Sequence, residues 1–300
     1  MPSSWPEHKA SCATIRAQVN RDRLVEHLRA LEGERNALTS PHRLAEAQAY
    51  VADHLARVGY RVRLHTFTHL GERFANVIAT RLADPRTARL LIGAHVDTVV
   101  GTPGADDNAS GVAVMLETAR VVAEHLPEVP VEFAGFNLEE VGMVGSSHYA
   151  RDVKRAGVPL LGMLSLEMVG FTERQGLQHY PLMLKPFYPR VGTFIGLVAN
   201  RRSRAFLQTV VQAMRAVPDL PVEMVVLPGN GWLVPESRLS DQSPFWDAGY
   251  PALMVTDTAF LRNPHYHRPT DTVDTLDLDF MRRVCQGVVA LTASLRSAMA

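Results

Sequence analysis

The stretch GAHVDTVVGTPGADDNASGVAV, residues 93–114, sets His95 and Asp97 two positions apart and then places Asp106 and Asp107 side by side in a Gly-rich loop. An imidazole and carboxylates this close together suit two kinds of work, holding a divalent cation or passing a proton. More residues of the same types follow: Glu139 and Glu140, then Glu167, then His265, Tyr266 and His267. Each group has an ordinary explanation on its own. An acidic pair before Asn and Gly makes a turn or caps a helix, and an acidic pair in a loop is a solvated turn. Glu167 resists that treatment, because it sits inside the apolar run LLGMLSLEMV, residues 160–169. A carboxylate there is costly unless an Arg pairs with it or a metal binds it.

These residues need a frame to bring them together. Apolar periodicity predicts helices over 21–31, 43–58, 110–126, 201–216 and 277–298. Strands are predicted over 60–67, 74–82, 88–96, 129–138, 160–169, 192–199, 221–227 and 250–257. The alternation implies an α/β fold: a single domain over 1–300 with a mostly parallel, mixed central β-sheet and helices on both faces. Residues 1–40 read as an N-terminal helical extension of it. In open α/β sheets ligands bind beyond the carboxyl ends of the strands. The runs 88–96, 129–138, 160–169 and 250–257 each lead into one of the acid or imidazole groups above. Four strand ends therefore deliver metal-binding side-chain types to one sheet edge, and that convergence is the signal. The glycines Gly101, Gly104 and Gly111 are expected to let the loop turn tightly. The irregular stretches 170–190 and 228–240, with Phe171, Phe187, Tyr188 and Trp232, are expected to build the substrate pocket and to favour an apolar residue.

Composition removes several function classes. The 31 basic and 31 acidic residues of this 300-residue chain cancel, which argues against a nucleic-acid or membrane partner held by bulk charge. The only lysines are Lys9, Lys154 and Lys185, and the arginines are scattered. Two cysteines, Cys12 and Cys285, with no CxxC pair, point away from a disulfide framework or a cysteine zinc site. The start, MPSSWPEHKASCATIRAQVN, has no apolar core of a signal peptide and no run reaches membrane-spanning length, so a cytoplasmic protein is expected. Oligomeric state is not legible.

Taken in order, the motifs resemble those of the M28 family of zinc aminopeptidases, from about residue 40 to 280. His95–Val96–Asp97 is similar to the family's H-x-D, PGADDNASG to its P-G-x-x-D-N-x-S-G loop, and EEVGMVGS to its E-E-x-G-x-x-G-S. EMVG, with Glu167, resembles its acidic strand-end ligand, and YHRPTDT its final Y-H-x-x-x-D-T. The resemblance implies two Zn2+ per chain, with Co2+ or Mn2+ as possible substitutes. His95 and Glu167 would hold one ion, Glu140 and His267 the other, and Asp107 would bridge them. Asp97 would orient the His95 ring, Glu139 would be the general base, and Tyr266 would hydrogen-bond the developing oxyanion. Glu139 and Glu167 would receive the α-amine of a peptide or amino-acid-derivative substrate. Asp106 would be a loop residue without a metal role, Asp241 structural or a partner of the ligands, and His267 is preferred to His265 on spacing.

Two departures stand out. Many members carry Asp where this chain has Glu167, which changes the reach of that ligand by one methylene. Gln242 stands where His is frequent, and there it is expected to line the substrate pocket. The related M20 family shares H-x-D and EE but has a separate lid domain and a bridging Asp much further along, whereas Asp107 follows Asp97 by ten positions. Two alternatives share the M28 fold: a glutaminyl-cyclase-like acyltransferase with one zinc, and a non-catalytic binding protein.

Overall fold

The computed structural model describes residues 12–176, 178–180 and 185–299, with side chains as far as 296. The expectations for the first eleven residues, and for part of the 170–190 loop, lie outside those residues. Eight strands form one sheet: β1 (Arg61–His69), β2 (Glu72–Thr80), β3 (Arg89–His95), β4 (Val131–Phe136), β5 (Leu160–Glu167), β6 (Ile195–Asn200), β7 (Val222–Leu227) and β8 (Ala252–Thr256). The order across the sheet is β1-β2-β4-β3-β5-β8-β6-β7. Strands β4, β3, β5 and β8 run parallel to one another. On one side β2 and β1 continue antiparallel; on the other β6 turns antiparallel to β8, and β7 follows it in parallel.

The parallel centre is what an almost uninterrupted apolar strand requires. Every residue of β3 and β4 is buried, so helices must cover both faces. Helices α1 (Arg21–Leu31), α2 (Pro41–Arg57), α3 (Gly111–His125), α4 (Val144–Arg155), α5 (Arg204–Arg215), α6 (Gln242–Asp247) and α7 (Leu278–Met299) supply that cover. Residues 111–122 of α3 are all buried, because α3 lies between the sheet and α1, α2 and α7. Its one buried acid, Glu117, is matched by Arg120 at 2.6 Å and accepts the N–H of Asn20 at 2.7 Å. The Asn20 side chain in turn caps α1, accepting from the N–H groups of Asp22 and Arg23. An ion pair in the core helix thus fixes where α1 begins.

Most predicted elements appear within a few residues of their expected bounds. Helices α4 and α6 were not expected. The buried face of α4 is Gly145, Ser146, Tyr149, Ala150 and Val153, which leaves too few large apolar residues to show a helical period. Helix α6 has six residues, too short for a period to register.

Helix α1 carries an acid-sensitive contact. His27 is 3% exposed, its Nδ1 lies 2.7 Å from the Tyr50 hydroxyl, and its ring meets His54 edge-on at 4.5 Å. Burial first, then the charges of His54, Arg23 and Arg120, lower its pKa to about 3. The unfolded chain binds a proton at this residue near pH 6.5 and the folded chain does not until about pH 3, so stability falls as pH falls between them. The expected slope from this residue is about 1.4 kcal/mol per pH unit. Urea midpoints measured at pH 7, 5 and 4 should fall less steeply in His27→Gln than in the parent, and parallel slopes would refute the assignment.

Candidate metal centre

The predicted side chains meet where the four parallel strands end. Strand β3 stops on His95 and β5 on Glu167. Strand β4 stops at Phe136 and turns through Leu138 into Glu139 and Glu140, while the segment after β8 returns to place His267 opposite. Leu138 (φ 58°), Met168 (φ 48°) and His267 (φ 56°) all adopt left-handed backbone. For non-glycine residues that conformation costs roughly 1–2 kcal/mol each, and here it falls on or beside the converging groups.

Asp107 sits at the middle. Its Oδ1 lies 3.2 Å from His95 Nε2 and its Oδ2 lies 3.1 Å from His267 Nε2. Glu167 Oε2 is 3.5 Å from His95 Nε2, and Glu140 Oε2 is 3.3 Å from His267 Nε2. Glu139 stands further off, 4.0 Å from His95 Nε2. One carboxylate therefore faces two imidazoles, each of which has its own second carboxylate. The Glu140 Oε1 atom is buried with no partner.

The loop that presents Asp107 is held from below. Gly104 takes a left-handed φ of 62°, where an added Cβ would lie 2.4 Å from the Thr98 side chain. Gly101 also turns left-handed, but Gly111 is helical: it is required for room, since a Cβ there would lie 2.4 Å from Asn108 Oδ1 and 2.5 Å from the Leu166 carbonyl. The Asp107–Asn108 peptide bond is cis. The Asp271 carboxylate accepts the backbone N–H groups of Asp106 (2.9 Å) and Asp107 (3.1 Å). Arg35, 1% exposed, donates to the carbonyls of Val96, Pro103 and Gly104 and to those of Leu31 and Gly33, so one guanidinium ties α1 and the strand β3 exit to the loop.

The electrostatics describe a site short of positive charge. Burial raises Glu140 to about 7, with the charge of Asp107 adding to it, and lifts Glu139 well above the usual carboxylate range. Burial opposes protonation of His95, yet Glu139, Glu167, Asp107 and Asp97 together hold its pKa well above the ordinary value. His267 is likewise raised to about 10 against the effect of burial, by Asp107 and Glu140. The surrounding acids favour the cationic form of both imidazoles.

Several expected residues have other partners. Asp97 was expected to orient the His95 ring. The ring Nδ1 faces the Asp97 carbonyl at 3.1 Å and an Asp97 carboxylate oxygen at 3.7 Å, and the same carboxylate accepts the N–H groups of Glu139 and Glu140, 3.1 Å each. Asp97 thus fixes the turn that carries the acidic pair. Asp106 is fully buried, accepts from Gly170 N–H (2.9 Å) and Asn263 Nδ2 (2.7 Å), and hydrogen-bonds Asp257. Gln242, expected in the substrate pocket, is fully buried away from it, because α6 starts there and turns Nε2 onto the Ser237 carbonyl at 2.8 Å. Asp241 is also fully buried, raised to about 7 first by burial, and forms no hydrogen bond of ordinary geometry although Ser146 faces it. Tyr266 stacks on His267 with ring centroids 3.7 Å apart. His265 bonds Thr270 Oγ1 at 2.9 Å, outside the cluster. Sequence reasoning missed Arg35, Asp271 and Ser240. Ser240 donates to Glu167 Oε2 at 2.7 Å. Asp271 lies within the quoted YHRPTDT motif, so its signal was present; Arg35 has no motif around it.

The family model of peptidase family M28 matches residues 76–292. The chain belongs to that family. Among curated relatives, an uncharacterized protein of Escherichia coli, YfbL, is 33% identical over 83% of this chain and 79% of its own length. A probable leucine aminopeptidase of Arthroderma otae is 25% identical over 97% of this chain and 76% of its own. The fold of the M28 chain is similar to that of the LapA aminopeptidase of Legionella pneumophila, with TM-score 0.75 and 19% identity over 97% of this chain and 74% of that one. It is similar also to a glutaminyl cyclase of Macrostomum lignano, with TM-score 0.72 and 18% identity over 99% and 94% of the two chains. No helix among the described residues is long and apolar enough to cross a membrane.

Replacing Arg35 by Met would remove the side-chain donor shared by five carbonyls, of which those of Pro103 and Gly104 keep the N–H groups of Gly33 and Ala109. The expected loss of unfolding free energy is about 2–4 kcal/mol, from the carbonyls left without a donor. Urea denaturation of Arg35→Met checks it, and a loss below about 1 kcal/mol would mean that Arg35 is not the tie of this loop.

Proposed function

We propose that the chain is a metal-dependent aminopeptidase that hydrolyses the N-terminal peptide bond of its substrate. The observation that carries this reading is the single buried carboxylate of Asp107, with one oxygen turned to each of two histidines. The donor set fits a pair of divalent ions. It has two imidazoles and three carboxylates, no thiolate, an unpartnered Glu140 oxygen, and acids whose repulsion only cations relieve. His95, Glu167 and Asp107 would hold one ion, and His267, Glu140 and Asp107 the other. Zn2+ suits this set best, with Co2+ or Mn2+ able to substitute. Bound there, the ions would supply Lewis acidity and a water acidic enough to act as nucleophile near neutral pH.

The rest is the work of this chain's own side chains. Glu139 stands next to a ligand and is the furthest of the three acids within 4.0 Å of His95 Nε2, where it would take a proton and return it to the leaving amine. Its burial favours that role by raising its proton affinity. Asp97 holds the Glu139 and Glu140 N–H groups and so fixes the spacing between base and ligand. The Tyr266 hydroxyl, beside the cluster, would donate to the developing oxyanion. Glu167 and Glu139 are the acids that would receive a free α-amine, which is what makes such a site act at chain ends.

The test is release of p-nitroaniline from aminoacyl-p-nitroanilides before chelation, after it, and after zinc is restored. Activity should vanish and return. Glu139→Gln should lower kcat by about 100-fold or more at unchanged metal content; His95→Ala and His267→Ala should lower the metal content itself. Metal-independent hydrolysis would refute the proposal. Inert anilides together with cyclisation of an N-terminal Gln peptide would establish the cyclase instead.

A further inference from the structure

A cleft opens directly beside Glu167 and Tyr266 and runs across the sheet toward the β7 edge. Its floor is set by strand register. Glu167 of β5 is paired with Thr256 of β8, Thr256 with Gly196 of β6, and Gly196 with Glu223 of β7. Paired residues share a face, so these four side-chain positions form one row on one side of the sheet. The neighbouring row on that face is Met254, Val198 and Val225, which is apolar. Gly196 leaves the middle of the row low: a Cβ there would already come within 3.2 Å of the Thr256 carbonyl. Tyr180, Tyr188 and Phe260 stand around this trough. Both tyrosine hydroxyls are committed to carbonyls, of Pro189 and Met224, so they offer the trough their rings.

The trough therefore has a carboxylate at each end and apolar surface between. Glu167 closes the catalytic end. Glu223 closes the far end, and among the described residues it makes no ion pair or hydrogen bond, although it stands in a largely apolar cavity. The exposed Glu236 also borders the cavity. Three strand spacings separate the backbones of Glu167 and Glu223, about 14 Å. A substrate residue held by its α-amine at Glu167 and Glu139 must send its side chain along this row. An apolar side chain would fill the middle and leave Glu223 uncompensated. A Lys or Arg side chain would lay its alkyl stem on the apolar floor and carry its charge toward the unpaired acid.

We infer that Glu223 sets the specificity of the site for an N-terminal residue with a long basic side chain, Arg or Lys. This rests on the aminopeptidase reading above and names its substrate class. Arg brings planar donors to a carboxylate and Lys a compact charge; either gives Glu223 the charge-assisted hydrogen bond it lacks. The apolar floor explains why the stem must be long: shorter basic side chains stop over Val198 and Gly196.

The experiment compares arginyl-, lysyl-, norleucyl- and leucyl-p-nitroanilide in the zinc-loaded protein, and measures binding of argininamide and norleucinamide by calorimetry. Norleucine matches the Lys stem without its charge. The basic substrates should give the higher kcat/KM. In Glu223→Gln that advantage should shrink by roughly tenfold or more, through KM, while norleucyl turnover stays within about twofold. Glu223→Lys should reverse the preference at an unchanged thermal midpoint, which separates specificity from folding. Norleucyl turnover equal to lysyl turnover in the parent, or equal losses on both in Glu223→Gln, would overturn the inference. Calorimetry separates it from the function: argininamide binding that depends on Glu223 without any hydrolysis would retain the trough and remove the aminopeptidase. Equal binding of the two amides would remove the trough whatever the turnover.

Discussion

Everything in this fold is arranged around carboxylates that cannot all be charged where they are. Asp107, Glu139, Glu140 and Glu167 crowd two imidazoles at the ends of four parallel strands, nearly out of contact with water. In that setting Glu139 and Glu140 gain proton affinity and both histidines are pushed toward the protonated form, which is the response of a site short of positive charge. A divalent pair removes the conflict more completely than protons do, since it neutralises the acids without costing them their lone pairs. The need for cations is therefore written into the burial itself and does not depend on any single distance.

Such a site would push itself apart without support, and the support is mostly backbone. Asp271 grips two consecutive N–H groups, those of Asp106 and of Asp107 itself, Asp97 does the same for the acidic pair, and Arg35 gathers five carbonyls beneath the loop. Each of these charged side chains binds main chain, so it fixes the position of a ligand without competing for the ligand's oxygens. The left-handed backbone at Leu138, Met168 and His267 is the strain that these ties hold in place.

The sequence made the frame and the converging groups legible because both rest on local pattern. Buried strands read as apolar runs, and the acids that follow them read as exits from strands. What lay beyond reach depended on facing. That the Asp97 carboxylate also holds the Glu139 and Glu140 N–H groups depends on the path of the chain forty residues later. Gln242 could be aligned with a pocket position, but the first turn of α6 decides that it points inward. Arg35 is recognisable only from the five carbonyls it meets, which come from segments as far apart as Leu31 and Gly104. Helix α4 escaped because three of the five residues on its inner face are Gly, Ser and Ala, which leaves only Tyr149 and Val153 to carry the period that would announce it.

The sheet also divides its labour at one seam. Strands β4, β3, β5 and β8 point the same way, so their carboxyl ends meet and the charged groups gather there. Beyond β8 the direction reverses, so the end of β6 that lies next to the site is its amino end, and no fifth catalytic strand end can join. The reversal leaves the strand pairing intact, and with it a straight row of side chains leading out of the site from Glu167 to Glu223. In a wholly parallel sheet that region would be covered by another crossover helix. Among the described residues no α-helix covers it, and its floor is Gly196 and Val198. On the readings proposed above, chemistry would be confined to the parallel centre, whose residues are locked by one another, and recognition would fall to a two-stranded margin that can change its side chains without disturbing them.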